Sequence, residues 1–350
     1  MSNLKEAKKS HILNNFFSII IDEIKPLNPQ AIIIYGSYGR NEGAWILDQK
    51  NLLPYNDFDI IVVDDSINNR RYSRKLTESL KEKLKVEWID LQVVSKKKLK
   101  LLSKRTIFNY DLKYGSTVIY GDKKILELIP INLESKINIK DLEVLFNTRL
   151  WTFYGSYLTL ESLDKNESRF FKYQMSKAIL ASIESFLIRN NYYNCSYKIK
   201  VKKFIELSNE NHKLALWALE EKLNPSNEII GKKDAEALLN NVKKMFFNEF
   251  FLSMSIIYKT QIKFPIDIVK ARTFIKNKIK NYIKFFFLNE KNIFKRNDIK
   301  DIELMLAVSN DEKSLQSFEP YLSIKMQSLN LKFKNFENLK EKISNLRFQL

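Results

Sequence analysis

Cysteine is almost absent from this chain, which has one thiol, Cys195, in 350 residues. A single cysteine excludes an internal disulfide and any Cys-rich zinc site. The chain also lacks an apolar run of about 18 residues, the length that a membrane-spanning helix needs. Its first fifteen residues have no apolar core of the kind found in signal peptides. We therefore expect a cytoplasmic protein without a membrane span.

Glycine is scarce as well, with 7 residues in the chain, well below the usual share of about 7%. Three of the seven nevertheless fall within eight positions: Gly36, Gly39 and Gly43. Glycine has no Cβ, so its backbone can turn tightly and bring N–H groups close to a phosphate. The clustering therefore predicts a turn with a special role, beginning at Gly36-Ser37.

Two side chains of this turn could contact phosphate. The hydroxyl of Ser37 could bind a β- or γ-phosphate, and the guanidinium of Arg40 could pair with one through two hydrogen bonds. The alternative for Arg40 is a structural salt bridge to Glu42 or to an aspartate. We predict that Gly36, Ser37 and Arg40 bind phosphate, and the structural alternative for Arg40 stays open.

The chain is strongly basic, with a net charge of +18 from 59 Lys and Arg against 41 Asp and Glu. Clustered cations favour nucleic acid, because they replace the counterions of its phosphates. A predicted helix over Ile266 to Leu288 is rich in lysine and could lie along a polyanion, or pack in a core with its ammonium groups in solvent. Basic residues alternate with acids along the whole chain, so the charge alone does not choose between these interpretations.

Two aspartates lead into the second predicted strand. The first strand, Ala31 to Tyr35, is apolar and precedes the glycine turn, and the second begins Asp57-Phe58-Asp59. Side chains alternate between the two faces of a strand, so Asp57 and Asp59 point to one face and Phe58 to the other. Like charges held this close raise each other's pKa unless a cation lies between them. Mg²⁺ suits such a pair, because it prefers one or two protein carboxylates together with substrate phosphates.

A third aspartate lies in the next predicted strand. Residues 86–94 alternate between apolar and polar, which predicts a half-buried strand with Asp90 at its middle. A carboxylate in that position is unfavourable unless it has a partner or a function. We therefore add Asp90 to the candidate site.

These residues resemble the DNA polymerase β-like nucleotidyltransferase superfamily, whose signature is a hydrophobic strand, Gly-Ser, a spacer and Asp-hydrophobic-Asp on the next strand. Gly36-Ser37 and Asp57-Phe58-Asp59 match this signature, and Asp90 best matches the superfamily's third carboxylate. The resemblance covers about residues 31 to 122. Nineteen residues separate Ser37 from Asp57, more than is usual, and the inserted piece, Trp45 to Tyr55, is either a lid or a longer hairpin.

The resemblance implies a Mg²⁺-dependent nucleotidyltransferase with Asp57, Asp59 and Asp90 as catalytic residues and as ligands of two Mg²⁺ ions. Such an enzyme moves an NMP, with AMP favoured, from an NTP to a hydroxyl of a small molecule, sugar or protein and releases pyrophosphate. In two-domain members a later helix contributes a lysine to the triphosphate, a role that could fall to Lys172. The alternative for Lys172 is a solvated basic face.

Two other functions remain alternatives at this point. The acceptor could be the 3′ end of an RNA or tRNA, in which case binding should weaken steeply with added salt. The fold could also serve as a catalytically inactive nucleotide-binding scaffold, an interpretation that the long spacer motivates.

The predicted fold class is α+β with two domains. Strand and helix patterns alternate up to Gly121, which predicts a small mixed sheet flanked by helices. From Pro130 onward the helical period dominates and strand patterns vanish. We therefore predict a nucleotidyltransferase catalytic domain over 1–130 and an all-α domain over 131–350.

Overall fold

A computed structural model describes most of the chain, in the ranges 2–48, 51–55, 57–66, 70–86, 88–134, 136–157, 160–272, 290–309, 312–329, 331–332 and 335–349. The chain divides into two compact units. The first comprises Met1–Asn138 and Asn190–Ser226, and the second comprises Ile139–Arg189 and Asn227–Leu350. The chain therefore leaves the first unit after residue 138 and returns to it at residue 190. The domain boundary at residue 130 stays a prediction.

The described strands all lie in the first unit: β1 Ala31–Tyr35, β2 Trp45–Asp48, β3 Asn51–Pro54, β4 Phe58–Val63, β5 Ile89–Val94 and β6 Thr117–Gly121. Four of them form one sheet in the order β5-β4-β1-β6. Strands β4 and β5 run parallel, whereas β1 is antiparallel to both β4 and β6. The small mixed sheet predicted from the sequence is confirmed.

The described helices are, in chain order, α1 Ser2–Ile24, α2 Gly36–Gly39, α3 Arg70–Leu84, α4 Lys96–Lys100, α5 Ile107–Tyr114, α6 Asp141–Arg149, α7 Lys165–Arg189, α8 Tyr197–Leu207, α9 His212–Leu223, α10 Lys232–Tyr258, α11 over 265–272, α12 Glu290–Val308, α13 Glu312–Gln316, α14 Glu319–Ser328 and α15 Phe336–Gln349. None of them is long and apolar enough to cross a bilayer. The remainder of the lysine-rich helix predicted over Ile266 to Leu288 lies outside the described residues.

One face of the sheet is packed against α1 and α3. Alternate residues of β4 contribute Phe58, Ile60 and Val62 to this core, and α3 contributes one leucine per turn, at 76, 80 and 84. Burial of each such side chain stabilises the fold by about 1.5–3 kcal/mol. Because strand side chains alternate, this core fixes the register of β4 and turns Asp59 to the opposite face.

The long spacer is taken up by the β2–β3 hairpin. The N–H of Tyr55 donates to the carbonyl of Ala44 at 2.9 Å, so the chain returns to the point where it left. Trp45 packs edge-on against Tyr38, with 5.8 Å between ring centres. The extra residues therefore form a closed hairpin and do not separate the glycine turn from β4. A lid function for this hairpin stays a prediction.

The regular elements of the second unit are all helices among its described residues, so the α+β fold class with a helical second part is confirmed. Its core is aromatic and includes Phe146, Phe153, Phe246 and Phe250. A buried guanidinium joins three segments: Arg272 contacts Glu143 at 3.0 Å and Asp301 at 2.8 Å. Loss of either carboxylate would leave the buried guanidinium with one acidic partner in place of two, which would destabilise this packing.

Candidate active site

Three residues on adjacent strands form a row on the face of the sheet opposite to α1 and α3. Tyr35, the last residue of β1, is paired with Asp59 of β4, and Asp59 is paired with Asp90 of β5. Directly paired residues project to the same face of a sheet. The structure therefore brings Asp59 and Asp90 side by side.

Tyr35 contacts the third acid directly. Its hydroxyl donates to Oδ2 of Asp90 at 2.9 Å, and Nε2 of Gln92 donates to the same oxygen at 3.3 Å. Burial, followed by the charges of Asp59 and Asp90, raises the pKa of Tyr35. The hydroxyl consequently remains a protonated donor at neutral pH.

Asp59 is the carboxylate most affected by this arrangement. Its pKa is raised to about 8, chiefly by burial and then by the charges of Asp57 and Asp90. The charges of Arg40 and Lys222 act in the opposite direction. Asp59 is partly buried, whereas Asp57 and Asp90 are exposed. The three predicted carboxylates therefore lie within electrostatic range of one another.

Gly36 lies directly against this group. Its φ is +67°, in the left-handed region, and a Cβ added to it would overlap Oδ2 of Asp59. Only glycine permits both the conformation and the close approach. The backbone turn predicted to bind phosphate thus borders the acidic group, with Ser37 buried in the first turn of α2.

The other two clustered glycines are required by packing. A Cβ on Gly39 would overlap the carbonyl of Ile34, and a Cβ on Gly43 would overlap the ring of Tyr38. The ring of Tyr38 stacks on Phe58 with centres 4.3 Å apart, and its hydroxyl donates to Ala44. Packing in a compact turn therefore explains two of the clustered glycines, and phosphate binding by this turn stays a prediction.

Arg40 is engaged within the first unit. Its Nη1 lies 3.2 Å from Asp111 Oδ2, its Nε lies 3.8 Å from Glu42, and its guanidinium carbon lies 4.9 Å from the ring centre of Tyr197. This geometry is the structural salt bridge named as the alternative. Binding of phosphate by Arg40 stays a prediction.

Glu42 fixes the glycine loop to α8. Its carboxylate accepts hydrogen bonds from the Ser196 hydroxyl at 2.6 Å, the Tyr197 N–H at 2.8 Å and the Lys198 N–H at 3.2 Å. A carboxylate at a helix N-terminus satisfies N–H groups that have no partner in the helix and interacts favourably with the helix dipole. The position of α8 is therefore tied to the loop that follows Gly36.

Two lysines that the sequence did not single out lie against the ring of Tyr197. Lys200 of α8 and Lys222 of α9 are each 2% exposed, and their amines lie 5.0 and 5.5 Å from the ring centre of Tyr197. Lys222 lowers the pKa of Asp59, so its charge acts on the acidic group. In the sequence, the contact between Lys200 and Tyr197 was indicated only by their i, i+3 spacing, which is common on helices.

Lys172 lies in the second unit, on α7. It is 6% exposed, and its Nζ donates to the carbonyl of Glu228 at 2.8 Å. It does not belong to the solvated basic face named as the alternative. Contact between Lys172 and a triphosphate stays a prediction.

The acidic group provides part of the ligand shell that Mg²⁺ requires. Among the described residues, no three His, Cys, Asp or Glu side chains are close enough to form a metal site by themselves. Asp57, Asp59 and Asp90 offer hard oxygen donors, and burial together with the charges of Asp57 and Asp90 raises the pKa of Asp59. Mg²⁺ commonly takes one or two protein carboxylates and completes its shell with phosphate oxygens and water. The residues present fit an ion that arrives with its substrate.

No family model and no curated protein matches the chain. Among solved structures, the chain is similar to a crystal structure of the spectinomycin adenyltransferase AAD(9) from Enterococcus faecialis with ATP and spectinomycin. The two share 14% sequence identity with a TM-score of 0.40. The match covers 67% of this chain and 98% of that chain.

Proposed function

We propose that the chain is a Mg²⁺-dependent nucleotidyltransferase. It moves an NMP, with AMP favoured, from an NTP to a hydroxyl of a small molecule, sugar or protein, and it releases pyrophosphate. The observation that carries this proposal is the position of Asp59, a partly buried carboxylate between Asp57 and Asp90 and against Gly36. A strongly perturbed carboxylate with specific charge partners is characteristic of functional sites.

Each of the three acids has a role in the proposed reaction. Asp57 and Asp59 would hold Mg²⁺, and Asp90 would share this task. When bound, Mg²⁺ would lower the pKa of the attacking hydroxyl and neutralise the triphosphate. The acceptor oxygen forms a bond to the α-phosphorus, and the bond from that phosphorus to the bridging β-phosphate oxygen breaks. Pyrophosphate leaves with the electron pair, and Asp90 accepts the proton of the hydroxyl.

The leaving phosphates are bound by the turn and by nearby cations. Gly36 and Ser37 provide the turn beside Asp59. Lys222 is added to the predicted set because its charge acts on Asp59. Arg40 and Lys172 are retained as proposed phosphate ligands on the basis of the sequence, and their substitution tests these roles separately.

A nucleotide screen tests this function. The chain is incubated with each labelled NTP, Mg²⁺ and a panel of hydroxyl acceptors, and both pyrophosphate and labelled acceptor are measured. We expect release by the native chain and its loss in Asp57→Asn, while Asp65→Asn, which removes an exposed acid after the other end of β4, keeps it. NTP binding without release from any acceptor would favour the scaffold. Release that requires RNA and weakens steeply with salt would favour the RNA acceptor.

A further inference from the structure

The hydrogen bond from Tyr35 to Asp90 spans two strand spacings. Tyr35 is on β1 and Asp90 is on β5, with Asp59 of β4 between them. Adjacent strands lie about 4.8 Å apart, so the two backbones are separated by roughly 10 Å. A tyrosine hydroxyl nevertheless reaches Oδ2 of Asp90 at 2.9 Å. The side chain therefore extends across the width of β4 on the face that carries Asp59.

The two ends of this hydrogen bond differ in their freedom. Tyr35 is 9% exposed on a central strand, and its ring packs edge-on against Phe108 at 5.9 Å and 85°. Asp90 is exposed on the edge strand β5. A short exposed side chain exchanges between rotamers unless a neighbour holds it. The fixed phenol is thus placed to orient the exposed carboxylate.

We propose that Tyr35 is a positioning residue for Asp90. Its hydroxyl holds Oδ2, and this leaves Oδ1 to accept the acceptor's proton or to contact a bound metal ion. In the part of the chain that the structure describes, both hydrogen bonds to Asp90 end on Oδ2, from Tyr35 and from Gln92. This role rests on the proposed function, because it assigns a second task to a residue of the same site.

The size of the expected effect follows from comparable partners of metal-binding carboxylates. Loss of a group that hydrogen-bonds to a metal ligand typically lowers metal affinity or activity by roughly 10- to 100-fold. Phenylalanine at position 35 keeps the ring that packs on Phe108 and removes only the hydroxyl. Tyr35→Phe is therefore expected to fold and to leave Oδ2 of Asp90 with the longer hydrogen bond from Gln92.

The matched control is Tyr114→Phe. The hydroxyl of Tyr114 donates to the carbonyl of Ile131 at 2.8 Å in the same unit, so this variant also loses one tyrosine hydrogen bond. We measure Mn²⁺ affinity by electron paramagnetic resonance in the presence of a non-hydrolysable ATP analogue. The second readout is kcat and KM for ATP with the acceptor found in the screen.

We expect Tyr35→Phe to lower Mn²⁺ affinity and kcat by roughly 10- to 100-fold with KM for ATP unchanged, and Tyr114→Phe to change neither. In an Asp90→Ala background, Tyr35→Phe should cause no further loss of Mn²⁺ affinity. If the native chain is active and Tyr35→Phe has the same kcat and Mn²⁺ affinity, the role of Tyr35 is refuted and the proposed function is not. A native chain that neither binds Mn²⁺ nor releases pyrophosphate would overturn the proposed function as well.

Discussion

A methyl group on Gly36 would overlap Oδ2 of Asp59, so the turn after β1 and the carboxylate on β4 occupy positions that only glycine reconciles. The φ of Gly36, +67°, adds a second requirement, because residues with a Cβ are strained in this region. The close approach and the φ angle together explain why glycine is required beside Asp59. Substitution of Gly36 tests both requirements.

Gly36→Ala should destabilise the fold and abolish pyrophosphate release. Left-handed backbone strain costs about 1–3 kcal/mol at a non-glycine residue, and the displaced Asp59 adds to it. Gly231→Ala is the control, since the nearest atom to a Cβ there is 4.0 Å away. We expect it to cost under about 1 kcal/mol. Urea unfolding and the pyrophosphate assay measure both effects, and equal stability of the two variants would contradict the close approach.

The face of each acid could be predicted from the sequence because it follows from a period of two. Phe58 faces the apolar core, so Asp59 must face away from it, and the same alternation places Asp90. The hairpin could not be predicted with equal certainty. A spacer of given length can take many paths, and the hydrogen bond between Tyr55 and Ala44 that closes this hairpin is not a property of either residue alone.

Contacts between distant segments could not be predicted from the sequence. Glu42 binds the N-terminus of α8, and Lys222 of α9 acts on Asp59, but both helices follow the predicted catalytic domain. The helical period of the sequence places a lysine on a helix, but it does not show which acid that lysine approaches. Lys172 illustrates the same limit, because its helix pattern allowed a solvated face and the structure buries it.

Asp59→Asn should stabilise the chain in the absence of metal and nucleotide. Because the pKa of Asp59 is raised to about 8, the folded state binds more protons than the unfolded state between pH 4 and 8, so stability falls as pH rises through this range. The loss is complete above about pH 8. There the variant should exceed the native chain by at least about 1.4 kcal/mol, the equivalent of one pKa unit, with little difference near pH 4.

The control for this effect has the opposite sign. Hydrogen bonds from Gln30 and from the Lys96 N–H lower the pKa of Asp65, so its carboxylate favours folding above its ordinary pKa. Asp65→Asn should therefore reduce stability at pH 7 and reduce it by less at pH 4. Urea unfolding in EDTA at pH 4, 7 and 9 compares the three chains. An Asp59→Asn chain that is less stable than native at pH 9 would refute the assigned cause.

Glu42→Ala should release the N-terminus of α8. The variant loses three hydrogen bonds to one carboxylate, and we expect the free energy of unfolding to fall by roughly 2 kcal/mol. Because the same carboxylate ties α8 to the loop that follows Gly36, the turn proposed to bind phosphate, KM for the nucleotide should rise as well. Glu42→Gln keeps an acceptor oxygen and should restore part of both. Glu206→Ala on the same helix removes only an exposed pair with Lys203 and should cost under about 1 kcal/mol.

Lys222→Met should weaken nucleotide binding while the fold persists. A tenfold rise in KM for the NTP corresponds to about 1.4 kcal/mol and is the least that a lost phosphate contact should produce. Lys213→Met, at an exposed position of the same helix, should leave KM unchanged. Lys172→Met separates the two candidate lysines: a comparable rise in KM supports the role inferred from the superfamily, and an unchanged KM assigns the phosphates to Lys222.

Lys243→Met should stabilise the chain at neutral pH by an amount that disappears in alkali. Burial, with a smaller contribution from Lys340, lowers the pKa of Lys243 to about 8 from its ordinary 10.5, although its amine donates to the carbonyl of Ser309. Between these two values the unfolded chain binds more protons, so the stability of the native chain rises with pH. Below about pH 8 both states are protonated and the cost of the buried charge is largest, on the order of 3 kcal/mol.

The advantage of Lys243→Met over the native chain should therefore be greatest below pH 8 and shrink towards pH 10. Loss of the hydrogen bond to Ser309 lowers this advantage by a constant amount, so the change with pH is the decisive quantity. Lys244→Met replaces the neighbouring exposed lysine and should show no such change. Urea unfolding at intervals from pH 6 to 10 measures it. A constant difference across this range would show that the amine of Lys243 enters the folded state without a lowered pKa.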